Sequence, residues 1–446
     1  MNRPTPAPAP VTGRALARGG ALLGVAMMVA NAGNYALNVG LARWLSAADF
    51  GEATLLVTLF LTTTAVGLTL QMVTAREVAR LDAGPDPDSA DGLQRWLARR
   101  AALIGVALAT ALAVASPLLA GLFRMAHPLP LVVFAPGLPA YLALAVHRGG
   151  LQGRLGFGPL AASFVVEAGV RVALSVALVR IGWGVTGTAV GLTGSVVVAW
   201  WLARPARATA SDRRSAVPLD HLAAVRRAAA PTVVLLVGQI LVNNGDVLVA
   251  KAAFTPAVAG AYAAVALVGR AVFFATSSVV TTLFPAVARG DTDDRAHGRM
   301  LLVAVGVVGG VSLSLTAAAW LAGGQGLATA LGPQYASLGH LLGPYALATS
   351  LFAVASLLAA DDLARGRTEG PRLLLAAAAL QTASLVLIHG SPGQVVGVQI
   401  GVMALLCGVM GRRAVVAARA SRPRRPAPVV QHDAMPDMAV PDLAVS

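Results

Sequence analysis

Cysteine is all but missing: Cys407 is the only one in 446 residues. Neither an internal disulfide nor a cysteine-built metal cluster is available within one chain. Charge is scarce too, at 12% of the chain, where a soluble domain carries roughly 25%. Acids are the scarcer sign, with 20 Asp and Glu against 34 Lys and Arg. The seven histidines are scattered, and no metal-ligand cluster, nucleophile triad or glycine-rich phosphate loop with its lysine occurs. No cofactor is expected, and the chain does not read as an enzyme.

Hydrophobic residues, by contrast, make up 57% of the chain. They gather into twelve runs: 19–42, 50–73, 101–123, 129–148, 159–179, 183–203, 231–250, 260–284, 300–322, 338–360, 372–389 and 394–411. About 20 apolar residues cross a hydrocarbon core of about 30 Å as a helix. The expected fold class is therefore an all-α polytopic membrane protein with twelve transmembrane helices. The first run follows Arg14 and Arg18 as a signal peptide would, but it continues to Ala42 and reads as an uncleaved first helix.

A net charge of +14 would suit nucleic acid, yet its placement argues for a membrane. With the N-terminus inside, 28 of the 34 basic residues fall on cytoplasmic segments, among them Arg148 and Arg154 between the fourth and fifth runs. Arg43, Arg124, Arg180 and Lys251 fall on the opposite side, and Arg171 and Arg270 lie within spans. This is the positive-inside asymmetry. It excludes a nucleic-acid partner and puts both termini in the cytoplasm. The expected organisation is a disordered tail 1–18, a lobe 19–203, a basic linker 204–230, a second lobe 231–411 and a disordered tail 412–446.

Polar residues inside the spans are costly and point inward. In the first span Asn31, Asn34 and Asn38 share one face, suited to interhelical hydrogen bonding or to lining a cavity. Thr54, Thr58 and Thr62 form a stripe on the second. Pro136 and Pro139 should kink the fourth. Ser163, Glu167, Arg171 and Ser175 follow at i+4 steps on the fifth, with Glu167 and Arg171 in the order that favours an ion pair. The seventh carries Gln239, Asn243, Asn244 and Asp246, and on the eighth Arg270, Phe274, Ser277 and Thr281 share a face. Arg270 could meet a substrate phosphate, or could pair with Asp246 or Glu167 and lock the lobes. Gly187 with Gly191, and Gly393 with Gly397 and Gly401, read as close-packing faces. The outer loops are short, and their only acids are Asp49 and Glu52.

The two halves repeat. Asn38 precedes Arg43 by five residues as Asp246 precedes Lys251, and Gly51 precedes Arg80 by 29 residues as Gly260 precedes Arg289. With an even number of spans per half, the repeats should be related by an axis along the membrane normal, with a site between them near the midplane.

The run Asn244-Gly245-Asp246 through Gly260-Ala261-Tyr262 to Leu283-Phe284-Pro285 resembles the polysaccharide-transporter, or oligosaccharide-flippase, branch of the multidrug/oligosaccharidyl-lipid/polysaccharide exporter superfamily. Arg43 to Gly51, Glu167-x-x-x-Arg171 and Leu331-Gly332-Pro333-Gln334-Tyr335 fit the same pattern. The resemblance implies two six-helix lobes around a central cavity and alternating access in the bacterial cytoplasmic membrane. It implies as substrate a polyprenyl-diphosphate-linked oligosaccharide, with membrane lipids and polysaccharide polymerase or glycosyltransferases as partners. Arg171 and Arg270 would offset phosphate charge, while Asn31, Asn34, Asn38, Gln239, Asn243, Ser277 and Thr281 would line the cavity. Glu167 and Asp246 would be the acids for any ion coupling. A drug exporter of the related branch is expected to carry an acid in the first span, where only asparagines stand. A membrane glycosyltransferase or ligase would need catalytic carboxylates or a sizeable outer loop.

Overall fold

The computed structural model describes residues 13–84, 88–204, 219–273, 275–276 and 294–420. Among these residues the chain is helical throughout, without strands. Helices α1 (Gly13–Trp44), α2 (Ala47–Asp82), α3 (Asp88–Leu122), α4 (Leu129–Phe134), α5 (Gly137–Gly153), α6 (Phe157–Leu178) and α7 (Gly184–Ala203) form the N-terminal lobe. The C-terminal lobe has α8 (Leu219–Ala253), α9 (Pro256–Gly269), α10 (Asp294–Leu331), a 3-10 segment (Pro333–Leu341), α11 (Leu342–Ala364), α12 (Glu369–Leu387) and α13 (Pro392–Ala420).

Eleven described stretches are long and apolar enough to cross a membrane. One of them, Phe157–Ala203, has 47 residues, about 70 Å if straight and more than twice the hydrocarbon core. It turns instead. Gly182 at φ 95° and Gly184 at φ 49° take backbone conformations open mainly to glycine, and α7 returns along α6. The crossings among the described residues then number twelve, arranged as two six-helix lobes around a central cavity. A Cβ at Gly191 would overlap the Ser175 side chain, so the Gly187–Gly191 face does permit close return. The expected face at Gly393, Gly397 and Gly401 is corrected. A Cβ at Gly397 or Gly401 meets nothing within 4 Å, because α13 turns Val395, Val396, Val402, Met403 and Leu406 inward.

Proline and its neighbours shape two spans. The fourth breaks between α4 and α5 at Ala135-Pro136, as the prolines led one to expect. In α3, Pro117 cannot donate to the carbonyl of Ala113. The Ser116 hydroxyl donates to that carbonyl at 2.7 Å, so no acceptor is stranded inside the apolar span.

Burial supports the internal repeat. The third span of each half is peripheral, with 11% and 17% of its apolar window buried, whereas the fourth is central, at 67% and 72%. The lobes meet at the end opposite the basic loops. There Leu37, Leu41, Ala42, Phe50 and Ala53 of the first lobe join Val247, Phe254, Tyr262, Leu331 and Tyr335 of the second in one apolar core. Gly51 and Gly260, matched by the repeat, also meet one another: a Cβ on Gly51 would lie 3.2 Å from the Gly260 Cα. Helix α8 begins at Leu219 and α3 at Asp88, so helix extends into segments whose sequence reads as linker and loop.

Candidate functional site

Helix α6 sets Glu167 and Arg171 one turn apart, and both side chains are buried. The pair exists, and it is larger than the spacing indicates. Arg148, from α5, lies 2.7 Å from the second carboxylate oxygen of Glu167 and is 2% exposed. Arg171 holds the first oxygen and donates through Nη1 to Asn34 Oδ1 of α1 at 2.8 Å. Arg148 also donates to the Oγ and the carbonyl of Ser163, each at 2.9 Å. Its guanidinium lies 3.9 Å from the Phe164 ring centroid, and that of Arg171 lies 4.1 Å from Phe60, both within cation–π range. Two cations therefore share one carboxylate, and the Arg171 Nε has no hydrogen-bond partner among the described residues.

Asp246 of α8 is wholly buried and closes a ring of hydrogen bonds in the second lobe. Arg270, at the C-terminal end of α9, donates from Nη2 to Asp246 Oδ1 at 2.9 Å and from Nε to the Tyr345 hydroxyl at 3.1 Å. Tyr345 donates in turn to Asp246 Oδ2 at 2.8 Å. Tyr262 donates to the same oxygen at 3.0 Å and accepts from Gln399 Nε2 at 2.7 Å. Asn244 Oδ1 accepts from Arg270 Nη1 at 3.4 Å. The ring is electrically balanced and ties α8, α9, α11 and α13 together. Arg270 thus pairs inside its own lobe, and the expectation of a lock between lobes through Glu167 is corrected.

The clusters lie at different depths. At 1.5 Å per residue, Glu167 sits about 15 Å into α6, near its middle. Asp246 sits about 10 Å from the end of α8, against the core where the lobes meet.

Other expected residues divide. Asn34 joins the first cluster, while Asn38 donates to the Asn34 carbonyl at 2.8 Å and Asn31 is exposed. Gln239 and Asn243 are partly buried, and Asn244 is the amide that reaches Arg270. Thr54 and Thr58 are buried. Phe274, Ser277, Thr281 and Arg289 lie outside the described residues.

Arg148 is the residue that sequence reasoning missed. Its apolar run ends there and Gly149-Gly150 follows, which reads as the start of a loop. Helix α5 instead continues to Gly153, and a Cβ at Gly149 would crowd Thr74 of α2 at 2.6 Å. These glycines permit packing and do not end the span.

Lys251, expected on the outer surface, is 1% exposed, and Glu52 is 4% exposed. Arg43, which the repeat matches to Lys251, crosses to the other lobe and donates to the carbonyls of Ala330 at 2.8 Å and Thr329 at 3.3 Å.

Solved structures share this fold. An inward-facing multidrug resistance MATE family transporter of the MOP superfamily superposes at a TM-score of 0.69 with 16% identity, over 87% of this chain and 94% of that one. An outward-facing transporter of the same description gives 0.60 at 15% identity, over 90% and 96%. The lipid II flippase MurJ, in an inward closed conformation, gives 0.66 at 14%, over 89% and 87%. No curated protein sequence gives a significant match. A family model described as polysaccharide biosynthesis protein matches residues 40–338. The chain is thus a multi-pass membrane protein with the fold of the MOP transporters, and it belongs to the polysaccharide biosynthesis protein family.

Proposed function

We propose that this transporter moves a lipid-linked oligosaccharide with a phosphate-bearing linkage from the cytoplasmic to the outer leaflet of a bacterial cytoplasmic membrane by alternating access. The observation that carries the reading is the surplus of positive charge at Arg148–Glu167–Arg171, buried beside the middle of the membrane-length helix α6. Such a charge is expensive unless a partner meets it. Arginine's planar donors suit phosphate oxygens, and Arg171 retains an unused Nε–H. Arg270, by contrast, is occupied by Asp246, Tyr345 and Asn244, so the phosphate role falls to the first lobe. A membrane potential that is negative inside favours outward movement of an anion by about 2.3 kcal/mol per charge per 100 mV.

Export of small amphipathic molecules is the second reading, favoured by the fold match to a multidrug transporter. Deleting the gene separates the two. Lipid-linked oligosaccharide accumulating in the cytoplasmic leaflet, with drug sensitivity unchanged, supports flipping. An unchanged leaflet distribution with raised drug sensitivity supports export. For the orientation, a cysteine replacing Ser211 in a Cys407→Ser background should stay unlabelled by external thiol reagents.

A further inference from the structure

The end at which the lobes meet holds two ionisable side chains that the transport reading leaves unused. Lys251 closes α8 in the second lobe, and Glu52 lies in the second turn of α2 in the first. Both belong to helices whose ends form the joint apolar core. Lys251 Nζ has no hydrogen-bond partner among the described residues. The acids across the seam are Glu52 and Asp49, on the α2 helix that packs against α8, and neither carboxylate comes within ion-pair distance of the ammonium. Glu52 is better provided, because its Oε1 accepts the backbone N–H of Ala126 at 2.9 Å. Asp49 is tied to Ser46, whose hydroxyl donates to it at 2.8 Å.

Burial without hydrogen bonds disfavours the charged form of an amine, and an opposite charge facing it offsets that cost. When the lobes part at this end, water reaches both groups. The attraction across the seam therefore acts in one conformational state and is lost in the other.

We propose that Lys251 and Glu52 form an electrostatic latch of the outer gate, and that their attraction across the seam holds the closed-outside state. The latch depends on the alternating-access fold and not on the identity of the cargo, so its test reads conformation and not transport. The latch is also lopsided. Neutralising Glu52 leaves an ammonium attracted only by Asp49, which is itself tied to Ser46, whereas neutralising Lys251 leaves a carboxylate that still has the Ala126 N–H.

The full-length protein, carrying Cys407→Ser with spin labels on cysteines at Ala48 and Ala257, is reconstituted in nanodiscs. Distances between the labels are then measured by pulsed electron resonance. Glu52→Gln should raise the long-distance, outer-open population about tenfold, consistent with removing one member of a buried pair. Lys251→Gln should raise it less, and the double variant should be less open than Glu52→Gln, the signature of coupling, yet still more open than the parent because the attraction itself is gone. An unchanged distribution in Glu52→Gln overturns the latch, as does a double variant at least as open as the single one. If Glu52→Gln does not fold, the exchanged pair Glu52→Lys with Lys251→Glu serves: a parent-like distribution supports the latch and a predominantly open one overturns it.

Discussion

In the N-terminal lobe two arginines share one carboxylate, whereas in the C-terminal lobe one arginine and one carboxylate close a ring through Tyr345, with Tyr262 as a further donor to the acid. The first arrangement leaves charge and donor capacity over. The second uses nearly all of both. Their settings differ too: the surplus lies near the middle of α6, and the balanced ring backs onto the seam between the lobes. One cluster thus has charge and donor capacity to spare, and the other ties four helices together.

The widest test of this contrast removes the carboxylates. Glu167→Gln leaves two buried guanidinium groups side by side, and unfolding in detergent should show a loss of at least about 3–5 kcal/mol. Asp246→Asn should lose less, about 3 kcal/mol, because the Tyr345 hydroxyl and Asn244 remain for Arg270. A larger loss from Asp246→Asn would break the comparison.

Removing one arginine from each side sharpens it. Arg171→Gln leaves Arg148 paired with Glu167, so stability should change by less than about 1.5 kcal/mol while surface glycan at matched protein abundance collapses. Arg270→Gln leaves the buried Asp246 carboxylate with only the Tyr262 and Tyr345 hydroxyls and should lower stability by about 3 kcal/mol. Surface glycan at the parent level in Arg171→Gln would end the phosphate role. Tyr345→Phe removes the hydroxyl that links Arg270 to Asp246, and a loss of about 1–2 kcal/mol is expected on thermal unfolding. Asn38→Ala, which releases only a bond to a carbonyl within its own helix, should stay within about 0.5 kcal/mol of the parent.

Span number, the repeat and the Glu167–Arg171 pair were legible because each leaves a periodic trace: run length, matched intervals, an i+4 step. Arg148 was not, since its partners stand 15 and 19 residues later on another helix and the two glycines after it imitate a loop. Asp246 was recognisable as an inward-facing acid. Its two tyrosines were not, because Tyr262 and Tyr345 come from different helices and no spacing joins them. Lys251 reads as a surface residue wherever a span ends at it. Only the meeting of the lobes takes it out of water.

The contact between Gly51 and Gly260 joins positions that the repeat makes equivalent, so the backbone there touches its own counterpart. That is the geometry of an isologous dimer interface, in which one patch serves as both halves of the contact. If the two lobes arose by duplication and fusion of a dimer-forming ancestor, a single glycine in the ancestral gene would have shaped both sides of the seam at once. After fusion the two positions are separate in the gene but remain bound in space. A Cβ at Gly260 would run into the carbonyl of Ala47, and one at Gly51 would press on Gly260, so neither position can change without the other helix giving way.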